Sequence, residues 1–271
     1  MSVLEETKFI MNKYDVHPSK SLGQNFLINE DALELISSNA NKDDVIVEIG
    51  PGLGTLTAIL AEKAKKVYAV ELDKRMVAIL EDRFALYKNV EIINEDILKV
   101  DINSLDKNVK VIANLPYYIT TQIVTALLDA KVDDITILIQ KEVADRICVM
   151  PGEKDAGAIT YLVHYYADCE FMGVVNKESF IPNPKVESAV VNIKRLKEPR
   201  VKVKNEKLFF DIIKANFSQR RKTITNSLSN LINKDEFAKI LEELNIPINV
   251  RGESLTLEQF AEIANKIEDK R

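Results

Sequence analysis

Apolar residues along the chain fall first into short runs of β-branched and aliphatic side chains, each followed by a stretch with helical spacing. Runs at 45–49, 67–71, 90–93, 109–113 and 135–140 alternate with helical segments at 55–64, 74–86 and 120–128. Strands separated by helix-length segments predict an α/β fold, a mostly parallel sheet with helices on both faces. A further helix is predicted over 156–166, and the runs at 169–175 and 188–193 read as antiparallel strands that finish the sheet. Beyond about residue 195 the spacing is helical only, with apolar faces at Leu208/Phe209/Ile212/Ile213, Ile224/Leu228/Leu231, Phe237/Ile240/Leu241 and Phe260/Ile263/Ile267. Two domains are therefore expected: 1–196 carrying the sheet and 197–271 a small helical domain, joined by the basic stretch 197–204.

Length and composition agree with two domains, since 271 residues at 46% hydrophobic exceed the usual single-domain size and suffice for a core. The charged first residues have no apolar run, and no window approaches the length needed to span a bilayer, so a cytoplasmic protein is expected. Cys148 and Cys169 lack CxxC spacing and have only His17 and His164 as imidazole partners, which sets aside a metal site and a disulfide framework. The net charge of −5 argues against uniform nucleic-acid binding, yet residues 194–222 hold eleven basic side chains against three acidic ones. That local +8 is a solvated surface unless nucleic-acid chemistry lies beside it.

After the first strand comes Glu48-Ile-Gly50-Pro-Gly52-Leu-Gly54-Thr, a glycine-rich turn that opens a helix. Glycines let the backbone take positive φ and approach a ligand closely. The next acid at a strand end, Glu71, lies 21 positions after Gly50, where a carboxylate can accept both ribose hydroxyls. A nicotinamide dinucleotide is the competing ligand, and it fails on spacing: its fingerprint is GxGxxG, whereas this turn reads GxGxG after Glu48. S-adenosylmethionine carries no phosphate, only a zwitterionic methionine end that glycine backbone and a nearby acid can hold. Asp96, after the third strand, is placed to accept from the cofactor's adenine amine; taken alone it reads as a turn or cap residue.

The run Asn114-Leu115-Pro116-Tyr117 closes the strand 109–113 with an amide, a carbonyl and an aromatic ring. Ligands bind at that edge of such sheets. An exocyclic N6 amine of adenine is a poor nucleophile because its lone pair is delocalised. Asn114 Oδ1 and the Leu115 carbonyl, both accepting from that NH2, favour a pyramidal nitrogen, while Tyr117 offers a stacking face. Phe180, before the stiff segment Ile181-Pro182-Asn183-Pro184, is a candidate second ring over the base.

With these residues in hand, the chain resembles the small-subunit ribosomal RNA adenine dimethyltransferases over nearly its full length. The matching segments include Lys20-Ser-Leu-Gly23-Gln24-Asn25-Phe26-Leu27, Gln140-Lys-Glu142-Val-Ala-Asp-Arg146, Phe180-x-Pro-x-Pro and Phe217-Ser-Gln-Arg220-Arg221-Lys222. The resemblance implies a Rossmann-like class I methyltransferase sheet and a monomer acting on an assembling 30S subunit. It implies dimethylation of two adjacent adenosines in a hairpin near the 3′ end of small-subunit rRNA. It also implies cofactor contacts from Asn25 and Leu27 at the methionine end, Gly50 at the turn, Glu71, Asp96 and Asn114, with no metal. Thr120-Thr121-Gln122 departs from the Ser-Thr-Pro frequent in bacterial relatives and suggests an archaeal or eukaryotic type. The related large-subunit rRNA methylases of macrolide resistance share the cofactor and target motifs, and a ribosome-assembly factor without catalysis shares the fold. The Gln219-Arg220-Arg221-Lys222 segment and the helical tail favour the small-subunit type over the first, and the intact acids with Asn114-Leu-Pro-Tyr117 speak against the second.

Charge reversal at Arg220, Arg221 and Lys222 is expected to weaken RNA affinity and reduce its dependence on salt, by roughly one unit of log–log slope for each phosphate that is no longer neutralised. A salt series of RNA-binding isotherms checks it.

Overall fold

The computed structural model describes residues 1–19, 23–218 and 222–271, which divide into two compact units: 1–144 with 170–195, and 145–169 with 196–271. The sequence boundary between 196 and 197 lies one residue from this division, but 145–169 groups with the tail rather than with the sheet.

The first unit opens with helix α1 (Val3–Lys13), whose start is fixed by a Ser2–Glu5 capping box. A two-residue strand β1 (Phe26–Leu27) precedes α2 (Glu30–Ser37). The alternation read from the sequence then follows: β2 (Val45–Ile49), α3 (Thr55–Lys63), β3 (Lys66–Glu71), α4 (Lys74–Phe84), β4 (Val90–Asn94), β5 (Val109–Asn114), α5 (Thr120–Asp129) and β6 (Asp134–Gln140). Helix α6 (Lys141–Cys148) follows directly, where no helix is expected from the sequence. After α7 (Ala158–Tyr166) come β7 (Ala167–Val175), β8 (Phe180–Ile181) and β9 (Ser188–Arg195).

The seven-stranded sheet has the order β4-β3-β2-β5-β6-β9-β7. Pairs β3–β4, β2–β3, β2–β5 and β5–β6 are parallel, and β6–β9 is antiparallel. After β4 the chain crosses back to the other side of β2, so the order reverses between β2 and β5, and a crevice opens beyond their carboxyl ends. All five residues of β2 are buried, as a central parallel strand requires. Helices α2 and α3 cover one face, packing Leu33, Ile36, Leu56 and Leu60 on Ile46, Val67, Ile112 and Leu138. Strands β1 and β8 form a separate antiparallel ladder, Phe26 opposite Ile181 and Leu27 opposite Phe180. That ladder draws Phe180 into the core beside Leu27 and Val190, so its ring is 0% exposed. The ring read from the sequence as a candidate to stack on the target base thus lies in the core of this structure.

The second unit contains α7 and the tail helices α8 (Glu206–Ser218), α9 (Ile224–Ser227), α10 (Lys234–Glu243) and α11 (Leu257–Glu268). Their faces meet in one core with Tyr161 and Tyr165 of α7, which is why 145–169 belongs to this unit. Cys148 and Cys169, set aside as a bridge in the sequence, are disulfide-bonded here with Cα atoms 5.4 Å apart. The α7 hairpin returns the chain to the end of α6, and a spacing of 21 residues gives no sign of that proximity.

Tyr161 is the polar fastener of this core. Its hydroxyl donates to the Leu255 carbonyl at 2.6 Å and accepts from Gly152 N–H at 3.1 Å, while its ring meets Phe260 edge-on at 5.1 Å. Tyr161→Phe leaves both main-chain groups unpaired, an expected cost of about 1–3 kcal/mol. Denaturant unfolding followed by circular dichroism measures it.

Candidate active site

The site is assembled from the carboxyl ends of β2, β3, β4 and β5. Between β2 and α3 the chain turns with positive φ at Gly50 (64°), Gly52 (58°) and Gly54 (82°). At Gly54 a Cβ would sit 2.6 Å from the Phe84 ring and 2.9 Å from Leu80, so only glycine allows α3 to start against α4. Arg83, also on α4, donates to the Leu53 carbonyl and pairs with Glu6.

Glu71, at the end of β3, accepts from Gly52 N–H at 3.2 Å through Oε2 and from Asp73 N–H at 2.8 Å through Oε1. Burial nevertheless raises its pKa above the usual carboxylate value. Asp96 caps the short helical turn after β4, accepting from Leu98 N–H at 3.0 Å, and still lines the cavity. The cap reading and the binding reading therefore occupy the same side chain.

At the end of β5, Leu115 N–H donates to Leu138 O at 3.0 Å, and Asn114 Nδ2 donates to Asn25 O at 3.4 Å. The amide donor of Asn114 is thus committed to the chain, and the acceptors Asn114 Oδ1 and Leu115 O carry no hydrogen bond among the described residues. The Tyr117 hydroxyl is hydrogen-bonded to Ser188 Oγ at 2.6 Å, and burial raises its pKa. Tyr118 stands exposed beside it, next to Gly23, whose φ of 61° is in the left-handed region.

One cavity brings together Asn25, Leu27, Gly50, Glu71, Asp96, Asn114, Leu115 and Tyr117. Phe180 does not line it. Of the basic candidates, Arg220 and Arg221 lie outside the described residues, as do residues 20–22 of the N-terminal motif, and Lys222 is exposed on the second unit. Three groups escaped the sequence reading. Ser188 is 71 positions from Tyr117, Gln24 holds the N-terminal segment through Asp73 at 3.3 Å, and Tyr118 was passed over beside its neighbour. Tyr118 had a local signal as a second aromatic residue at the strand end, and Gln24 lay inside the matching segment 20–27, whereas Ser188 had none pointing to Tyr117.

The charged groups of the cavity are all acids: Glu48, Glu71, Glu95 and Asp96, with no Lys, Arg or His among the described residues. No group of three or more His, Cys, Asp or Glu among the described residues is arranged to hold a metal ion, and no described helix is long and apolar enough to cross a membrane.

A family model described as Ribosomal RNA adenine dimethylase matches residues 17–269. The chain is 47% identical over 271 residues to the ribosomal RNA small subunit methyltransferase A of Clostridium botulinum (strain Kyoto / Type A2), covering 97% of this chain and 98% of that one. That relative is bacterial, in contrast to the archaeal or eukaryotic type suggested by Thr120-Thr121-Gln122. A dimethyladenosine transferase from Plasmodium falciparum superposes with TM-score 0.76 at 25% identity, over 90% of this chain and 98% of that chain. The 23S rRNA methyltransferase ErmE superposes with TM-score 0.70 at 24% identity, over 90% and 100%, a likeness of fold.

Glu48 generates a stability prediction. Its carboxyl is 2% exposed and burial raises its pKa from 4.5 to about 8. Between those values the folded protein keeps a proton that the unfolded chain releases, so stability falls as pH rises, by at most about 1.4 kcal/mol per pH unit from this group. Glu48→Gln is expected to flatten that fall, measured as the difference between the two proteins' unfolding free energies from pH 5 to pH 8.

Proposed function

The chain belongs to the ribosomal RNA adenine dimethylase family, and on that premise we propose how its residues divide the work. It is a methyltransferase that uses S-adenosylmethionine to dimethylate N6 of two adjacent adenosines in small-subunit ribosomal RNA. The residues of the cavity fit that cofactor: four acids and no base among the described residues suit a ligand with a sulfonium and an ammonium, and repel a pyrophosphate. When bound, S-adenosylmethionine supplies an electrophilic methyl group.

On this reading Asn25 and Leu27 hold the methionine end, Gly50 lies under it, Glu71 accepts from the ribose hydroxyls, and Asp96 accepts from the adenine amine. The observation that carries the target assignment is the pair of unoccupied acceptors at the end of β5, Asn114 Oδ1 and Leu115 O. Two acceptors side by side match the two protons of one NH2 group and turn its lone pair out of the ring plane. The Tyr117 ring, fixed through its hydroxyl to Ser188, gives the flipped base a face to stack on. Phe180 takes no part in the conformation seen, because its ring is buried.

The substrate form we assign is the 3′-end hairpin within an assembling 30S subunit. Residues 197–271 would serve as its ribosome-binding domain, with Arg220, Arg221 and Lys222 neutralising phosphates.

Asn114→Ala is expected to reduce methyl transfer by at least about a hundredfold while leaving RNA binding within a few fold, as for loss of an orienting group. Labelled methyl transfer to unmethylated 30S particles, beside a binding isotherm, checks both. Exclusive labelling of 50S particles overturns the substrate assignment.

A further inference from the structure

Tyr118 lines the cavity and is exposed, and nothing assigned so far uses it. Tyr117 and Tyr118 are successive residues of the short helical turn Tyr117–Ile119, which opens directly after Pro116. At about three residues per turn, successive side chains leave such a turn roughly a third of a revolution apart, so the two rings meet different surroundings. The inner ring is held: Tyr117 is half-buried, with its hydroxyl on Ser188. The outer ring is free of such ties. Tyr118 is 53% exposed, and it makes no hydrogen bond, ring pairing or cation contact among the described residues. Its one support is the N-terminal segment, where a Cβ at Gly23 would sit 3.5 Å from Tyr118 Cδ1.

Two constraints limit what such a ring can hold. The first is charge. The cavity offers acids and no Lys, Arg or His among the described residues, so an RNA strand entering here finds no cation to neutralise its phosphates. A hold on the strand at this point has to come from uncharged contacts, and a base stacked on an aromatic ring is one that needs no partner charge. The second constraint is covalent. The substrate is a pair of adjacent adenosines, so the base beside the target is tied to it by a single phosphodiester and arrives at the cavity with it. The ring next to Tyr117 in the chain stands where the base next to the target in the RNA has to go.

We propose that Tyr118 is the stacking platform for the nucleobase adjacent to the target, and a specificity residue that favours a purine there. The proposal rests on the reading of Asn114, Leu115 and Tyr117 as the target edge. One adenine lies on Tyr117 with its amine at the acceptors, while its neighbour leaves the stack of the RNA and lies on Tyr118. A purine covers more of the ring than a pyrimidine, so an adenine neighbour is held more strongly than a uracil. An RNA strand has a direction, and one ring serves the neighbour on one side only. Of the two adenosines, therefore, one reacts with its partner adenine on Tyr118, and the other reacts with the base beyond the pair in that place.

The test uses 30S particles reconstituted on unmethylated transcript, with the adenosine pair intact or with either adenosine replaced by uridine, and mass mapping that resolves transfer at each position. Tyr118→Ala is expected to lower kcat/KM at one adenosine of the intact pair by roughly fivefold to a hundredfold, the worth of one base–ring stack, whereas Tyr118→Phe and Tyr118→Trp retain it. The unmodified protein is expected to work more slowly at that adenosine when its neighbour is uridine, and Tyr118→Ala to treat the two neighbours alike. Affinity for S-adenosylhomocysteine is expected to be the same in each of these proteins, which also shows that the variants fold. The proposal is overturned if Tyr118→Ala transfers as fast as the unmodified protein, if it keeps the preference for an adenine neighbour, or if Tyr118→Phe loses as much as Tyr118→Ala. It is overturned too if Tyr118→Ala weakens S-adenosylhomocysteine binding as much as it slows transfer, because the ring then serves the cofactor. Absence of transfer by the unmodified protein to the intact pair overturns the target reading itself, and this proposal with it.

Discussion

The turn from β2 into α3 is the constraint on which the rest of the site depends. In five residues it carries the chain from a strand buried on both faces to a helix start pressed against α4, with three glycines at positive φ. Phe84 and Leu80 occupy the space a side chain at Gly54 would need, and Arg83 fixes the Leu53 carbonyl from the same helix. From the other direction Glu71 grips the Gly52 N–H. Helix α4 and strand β3 thus set the height at which the turn meets the cavity. The spacing of the ends of β2, β3 and β5 around the turn is then fixed by sheet register.

Charge sorts the cavity into two sides. The acids Glu48, Glu71 and Asp96 lie at the ends of β2, β3 and β4, while β5 contributes the neutral acceptors of Asn114 and Leu115. A phosphate-bearing ligand meets carboxyl groups and no cation of the described residues on the first side. A cationic nucleoside suits that side, and the sheet order places the neutral acceptors of β5 beside β2.

What the sequence made legible was local. Hydrophobic runs at 45–49, 67–71, 109–113 and 135–140 each became a strand, because a buried parallel strand writes its burial into consecutive residues, and the run at 90–93 became the partly exposed edge strand β4. The glycine turn, Glu71 and Asn114-Leu115-Pro116-Tyr117 were readable because their chemistry is contiguous. Partnerships across long separations were not. Phe180 before its prolines reads equally as a stacking ring or as core, and only the β1–β8 ladder decides for core. The grouping of 145–169 with the tail depends on Tyr161 and Tyr165 meeting Phe209 and Phe260, and no local pattern records that. The same holds for Cys148 and Cys169, and for Ser188 under Tyr117.

Among the described residues the end of β5 carries no general base, and its groups give a physical reason why the proposed chemistry manages without one. Asn114 does not titrate, and the Tyr117 hydroxyl is engaged by Ser188 with its pKa raised by burial, so it keeps its proton near neutrality. A base strong enough to deprotonate an arylamine has no place here, and the chemistry does not ask for one. Once the amine is alkylated its nitrogen is a strongly acidic ammonium that loses a proton to water unaided. What the amine lacks beforehand is an available lone pair. On the proposed reading, Asn114 Oδ1 and Leu115 O accepting from the NH2 protons would supply it by orientation, and such fixed dipoles need no reorganisation during transfer. On that reading the target side works by geometry, through the unoccupied acceptors Asn114 Oδ1 and Leu115 O.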